Sequence, residues 1–282
     1  MNIPQSKIMG VVVEGDLMKD QFINFYQNLL GKKDQSESIE FLEPFLNKQV
    51  PPEMCADMVK EVSDDEIKEV FFSMGDDKAS GPDGFSARFY KSAWPVIGPD
   101  VCNGVKEFFS SGKLLKEVNA TLIALIPKVK CPSQVSEFRP IALCNVLYKG
   151  ISKILANRIK GCLNVIIDEN QNAFLPGRRI SDNILLTQEL FRNYHRQRGA
   201  SRCLFKVDIK KAYDSVIFWL MRLFGFPDQM VRWIEECLLL RVTLLLLKVR
   251  SMVFLEAKKG SDKATRSRLI FSLLLCRCFP LF

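Results

Sequence analysis

Residues 206–216 read KVDIKKAYDSV, and the fold turns on how that stretch is taken. Cys203, Leu204, Phe205, Val207 and Ile209 make an apolar, partly β-branched run, which predicts a buried strand. Asp208 stands at the exit of that strand, and Tyr213 and Asp214 follow on a turn. A carboxylate that close to a core costs several kcal/mol unless it is paired, hydrogen-bonded or bound to a cation. Mg²⁺ held by one or two carboxylates together with substrate phosphates is the usual arrangement for phosphoryl transfer. Asp208 is therefore the first candidate for a metal-binding catalytic residue.

The blocks KASGPDGF (Lys78 to Phe85), TLIALIPKV (Thr121 to Val129), EFRPIAL (Glu137 to Leu143), LYKGISKILANRI (Leu147 to Ile159) and QNAFLPGRRISDNIL (Gln171 to Leu185) precede the Asp208 strand. In this order and at roughly this spacing they resemble the reverse transcriptases of non-LTR retrotransposons, the LINE-type elements common in plants, over about Phe22 to Lys259. The resemblance implies an α+β chain, the fingers and a partial palm of a right-hand polymerase, descended from an RNA-directed DNA polymerase. It also implies an RNA template, a DNA primer, dNTP and Mg²⁺.

Residue roles follow from the same resemblance. Asp208 and the backbone carbonyl of Ile209 would hold metal. Tyr213 resembles a steric gate that excludes a ribose 2′-hydroxyl by clash; the alternative is an ordinary buried tyrosine. Arg139 and Lys128 resemble the pair that holds the triphosphate, a task suited to a forked guanidinium and a mobile ammonium; they read otherwise as exposed charges on a hairpin. Arg178 and Arg179, in a turn before a helix, resemble template contacts or form a solvated basic turn. Gly81 and Asp83 lie in the GPDG loop, near the template path in the family, although its glycines also simply permit a turn. Asp214 reads as a helix cap.

The chain departs from the family in three places. The palm's second acidic motif, an aromatic residue and two aspartates on a hairpin, has no counterpart: after Asp214 the acidic residues are Asp228, Glu235, Glu236, Glu256 and Asp262. Two-metal catalysis needs ligands on both sides of the ion pair, so an inactive remnant is expected. Between Val216 and Gly225 a few residues of the family's helix are missing. At Ser261 to Phe271 (SDKATRSRLIF) synonymous codons exist that, read one base earlier, encode the family's LRQGDPLSPYL. A single-base deletion near Gly260 would put the tail out of frame. A noncatalytic RNA- or DNA-binding module, or an unstable pseudogene product, is the alternative.

Lys and Arg number 40 against 32 Asp and Glu, a net charge of +8 that suits a polyanionic partner. Nine cysteines without a CxxC pair, and His195 as the single histidine, give no zinc framework and no histidine pair for catalysis. A reduced intracellular chain, nuclear or cytoplasmic, is expected. No secretory signal is visible. Arg241, Lys248 and Arg250 interrupt the apolar stretch Cys237 to Leu255, so strands are expected there and no membrane partner.

The expected organisation is an N-terminal helix and linker (1–52), a fingers-like region (53–200), a partial palm (201–260) and the out-of-frame tail (261–282). Helices are predicted at Asp20 to Leu30, after the Ser63/Glu66 capping box to near Gly75, from Phe85 to Ser111 with bends at Pro95 and Pro99, from Val146 to Leu163, from Ile180 to Arg198 and from Pro227 to Leu240. Lys149, Lys153, Arg158 and Lys160 are expected on the solvated face of the fourth of these. Asn119 to Val129 with Phe138 to Leu143, and Val242 to Val249 with Met252 to Ala257, predict two hairpins.

Overall fold

The computed structural model describes residues 6–8, 11–13, 21–25, 48–167, 177–192, 216–238, 242–248 and 251–256. Among these the elements run β1 (Ser6–Ile8), β2 (Val11–Val13), α1 (residues 21–25), α2 (Pro52–Val59), α3 (Asp64–Phe72), α4 (Ala87–Ser111), β3 (Ala120–Pro127), β4 (Phe138–Cys144), α5 (Val146–Lys160), α6 (Leu163–Ile166), α7 (Ile180–Phe191), α8 (Val216–Leu223), α9 (Asp228–Leu238), β5 (Val242–Lys248) and β6 (Ser251–Glu256). The strand expected over 203–209, with Asp208, Ile209, Tyr213 and Asp214, lies outside the described residues.

Local chemistry sets the helix limits. Ser63 Oγ accepts the Glu66 N–H at 3.2 Å and starts α3, but the return half of the expected capping box is replaced, because Arg158 holds the Glu66 carboxylate. Ser86 Oγ caps α4 in the same way through the Phe89 N–H. This 25-residue helix carries Pro95 and Pro99 inside it and stops at Gly112, whose φ of 66° is the left-handed conformation that ends helices. The helix predicted from Val146 to Leu163 breaks at Gly161 and resumes as the short α6.

Helices α3, α4, α5 and α9 enclose the core, where Ile67, Val105, Ile154, Met230 and Cys237 are fully buried. Gly150 lets α5 approach α3: a Cβ there would sit 2.5 Å from the Phe71 ring. Trp233 packs edge-on to Phe109 with centroids 4.9 Å apart. The Tyr148 hydroxyl donates to the Cys237 carbonyl at 2.9 Å and ties α5 to the end of α9.

The two expected hairpins form and join in one sheet of order β4-β3-β5-β6. Strands β3 and β4 pair antiparallel from Thr121↔Cys144 to Pro127↔Phe138, and β5 pairs antiparallel with β6. Strand β5 lies parallel to β3 from Ala120↔Val242 to Ala124↔Leu246. A parallel pair needs a long connection, and here α5 to α9 fall within it. Strands β1 and β2 form a separate antiparallel ladder. Among the described residues no helix is long and apolar enough to cross a membrane.

The basic face expected on α5 is not solvated in the way its spacing suggests. The Arg158 side chain is 4 % exposed. Lys149 Nζ donates to the Ala79 carbonyl at 2.6 Å, and Lys153 Nζ donates to Ser73 Oγ at 2.7 Å. Long stems lie along apolar surface while their heads satisfy carbonyls of neighbouring segments. Helical periodicity reports the face of a cation and not what stands opposite it.

Candidate functional site

Two parts of the expected site are described, one at each end of β4. Arg139 is exposed and registers opposite Ile126 at the open end of the hairpin. Lys128 begins the connecting loop, where its N–H donates to the Glu137 carbonyl and its ammonium to the Ser136 carbonyl, both at 2.7 Å. Glu137 fixes that loop, its carboxylate accepting the N–H groups of Ser133 at 2.5 Å and Gln134 at 3.1 Å. Those backbone donors hold the Glu137 carboxyl below the usual carboxylate range. Arg139 and Lys128 thus share one hairpin end, with the Lys128 ammonium already occupied by a carbonyl.

At the opposite end, ~20 Å away at roughly 3.4 Å per strand residue, Asn145 anchors the GPDG loop. Its side chain is almost fully buried. Asn145 Oδ1 accepts the Asp83 N–H at 3.3 Å, and Nδ2 donates to the carbonyls of Glu117 at 2.8 Å and Val118 at 3.4 Å. Gly81 is pressed against this residue, since an added Cβ would meet Asn145 Oδ1 at 2.2 Å and its backbone N at 2.4 Å. Gly84, with φ of 77°, closes a turn through its N–H to the Gly81 carbonyl at 3.1 Å. The Asp83 carboxylate accepts the Phe85 N–H at 3.0 Å. Gly81 therefore answers to close packing, and Gly84 to backbone conformation.

Arg178 reaches back to the Ile167 carbonyl at 3.4 Å, and Arg179 is exposed at the start of α7. Sequence reasoning missed Asn145, Lys149 and Arg158 as organising residues. An asparagine immediately before an amphipathic run is a helix-start signal, which marks Asn145, although its amide bonds other segments instead of capping α5.

Among the described residues, no group of three or more His, Cys, Asp or Glu side chains could hold a metal ion. The expected donors, Asp208 and Ile209, lie outside those residues.

The family model for reverse transcriptase (RNA-dependent DNA polymerase) matches residues 126–266, half of the 282-residue chain. The chain belongs to the reverse transcriptase family. The matched span runs from the end of β3 through β6 and contains Arg139, Arg178, Arg179 and Asp208. This reverse transcriptase domain is 26 % identical over 237 residues to the transposon TX1 uncharacterized 149 kDa protein of Xenopus laevis, covering 79 % of the chain and 18 % of that protein. It is 28 % identical over 160 residues to the Pol polyprotein from retrotransposable element R2DM of Drosophila melanogaster, covering 55 % and 15 %. It is 30 % identical over 159 residues to the R2 Pol polyprotein of Nasonia vitripennis, covering 55 % and 14 %. The reverse transcriptase chain thus spans less than a fifth of these relatives. All three are animal proteins, so they carry the element type and lend nothing to a plant source.

Proposed function

We propose that this chain is the template- and nucleotide-holding part of a non-LTR-type reverse transcriptase, and that its 282 residues alone do not join nucleotides. The family match over residues 126–266 carries the first half of that reading. Arg139 and Lys128 would meet the triphosphate, Tyr213 the sugar, and Arg178, Arg179 and the Gly81–Asp83 turn the template. An RNA template, a DNA primer and dNTP are the partners. Asp208 and the Ile209 carbonyl would hold Mg²⁺, which neutralises charge on transferring phosphates when bound. The fingers would occupy 53–200 and the palm begin at 201.

The second half rests on the acidic residues that follow Asp214. Glu235 pairs with Arg222 at 3.0 Å, and Glu236 accepts the Leu114 N–H at 3.2 Å. Both are committed to packing α9 against its neighbours. A single carboxylate at residue 208 leaves one side of an in-line displacement without a ligand.

Primer extension on an RNA template with Mg²⁺ and dNTP tests the second half, and no extended product is expected from the 282-residue chain. Templated synthesis above a heat-killed control overturns it. RNA binding measured against salt tests the first half. Affinity should fall linearly on a log–log plot as phosphate contacts are screened, and no binding at low salt would remove the reading.

A further inference from the structure

We propose that Phe85 and Phe89 form a stacking platform for an unpaired base of single-stranded nucleic acid, resting on the reading that this face of the chain meets the template. The two rings stack with centroids 4.6 Å apart and an interplanar angle of 27°. They stay 46 % and 41 % exposed at the start of α4.

Their exposure does not come from a loose loop. The Phe85 N–H is held by the Asp83 carboxylate at 3.0 Å and the Phe89 N–H by Ser86 Oγ at 3.3 Å. Asp83 is in turn bonded through its own N–H to the buried Asn145. Behind the pair, Phe89 meets Tyr90 edge-on at 5.8 Å, and Tyr90 leans on the buried Phe71 at 5.5 Å. Aromatic rings fixed in place and left in water present a flat apolar face whose ordering cost is already met in the free protein.

The surrounding charges favour a nucleic-acid base over an acidic or basic peptide. Asp76 is bonded to Lys91 at 2.6 Å, and Asp83 is spent on the loop. Arg88, in the same turn as the rings, is 68 % exposed and only loosely paired with the fully exposed Asp77 at 3.6 Å. It can follow a phosphate without breaking a buried pair. The patch carries little net charge, so stacking leads and phosphate attraction assists. Stacking on an aromatic ring tolerates every base, because each has a π face. A template-handling surface needs that tolerance.

Fluorescence anisotropy with the full chain tests the platform, using labelled single-stranded oligouridine and an abasic oligonucleotide of equal length. Phe85→Leu and Phe89→Leu keep apolar volume and remove the ring face. Each should weaken oligouridine binding about 5- to 150-fold, the range for loss of one base stack, while abasic binding and the thermal melt stay unchanged. Phe89→Trp should retain binding and show indole emission quenched by oligouridine. Equal affinity of the unaltered chain for both probes, or leucine variants that bind oligouridine as well as it does, overturns the platform. Failure of the unaltered chain to bind either probe overturns the proposed function as well.

Discussion

Removing Arg158 should unfold the region between α2, α3 and α5 more readily than any surface substitution. Its guanidinium makes a forked pair with Glu66, Nε to Oε1 at 3.1 Å and Nη2 to Oε2 at 2.9 Å. It also donates to the carbonyls of Met58 at 3.1 Å and Lys60 at 2.7 Å, the otherwise unpaired end of α2. The Phe109 ring lies 5.4 Å from the guanidinium carbon. With Arg158 4 % exposed, Arg158→Met leaves a carboxylate and two carbonyls without their donor. Breaking a buried pair by removing one partner costs about 3–5 kcal/mol. Glu66 remains 26 % exposed and can recover water, which places the expected loss at the lower end, about 3 kcal/mol. That is roughly a 150-fold fall in the folding equilibrium constant.

Urea titration followed by circular dichroism measures this loss, with the slope unchanged and the midpoint lowered. Pairing Arg158→Met with Glu66→Leu should restore part of it, because an ion pair replaced as a unit by apolar groups is often neutral. An Arg158→Met chain within about 0.5 kcal/mol of the parent, the usual effect of a surface change, refutes the reasoning.

Gly150→Ala places a methyl against the Phe71 ring, which Tyr90 and Trp94 hold from the other sides at 5.5 Å. Overpacking costs about 1–3 kcal/mol and alanine returns about 1 in helix propensity, so a net loss of up to about 2 is expected from the same titration. Asn145→Ala strips the GPDG loop and the segment before β3 of a shared partner. The expected cost is about 1–3 kcal/mol, with faster amide exchange at Asp83 and Phe85; unchanged exchange there would show the loop is held by other means. The Cys102 and Cys162 thiols are each pushed up to about 11, chiefly by burial, with Asp64 beside Cys102 adding to it. A thiol raised above its unfolded value stabilises the fold fully below about pH 8.5 and loses that contribution as pH climbs through about 11. Thermal melts should therefore decline above pH 9, and replacing both residues with alanine should flatten the decline.

Much of the local structure was legible because its causes are local. Ser63 precedes an amphipathic run and caps α3 as its pattern predicts, whereas Ser86, expected inside a helix from Phe85, turns out to cap α4. The short apolar runs in TLIALIP and FRPIALC, separated by a polar loop, read as two strands of a hairpin, and they pair from Thr121↔Cys144 to Pro127↔Phe138. The family was legible for a similar reason, since motif order survives in the chain whatever the packing. The roles of the α5 cations were not, because what a side chain meets across a helix interface depends on the facing segment. Lys149 meets Ala79, Lys153 meets Ser73 and Arg158 meets Glu66.

Sequence by itself settled the family, most of the helices and both hairpins, all set by neighbours in the chain or by motif order. Tertiary structure alone decided that β3 and β5 lie side by side in parallel, which joins the hairpins into one sheet. It also decided that Asn145 secures the GPDG loop and that Arg158 is a buried clamp. Those facts depend on hydrogen bonds and contacts between segments far apart in sequence, and no pattern within either segment encodes its partner.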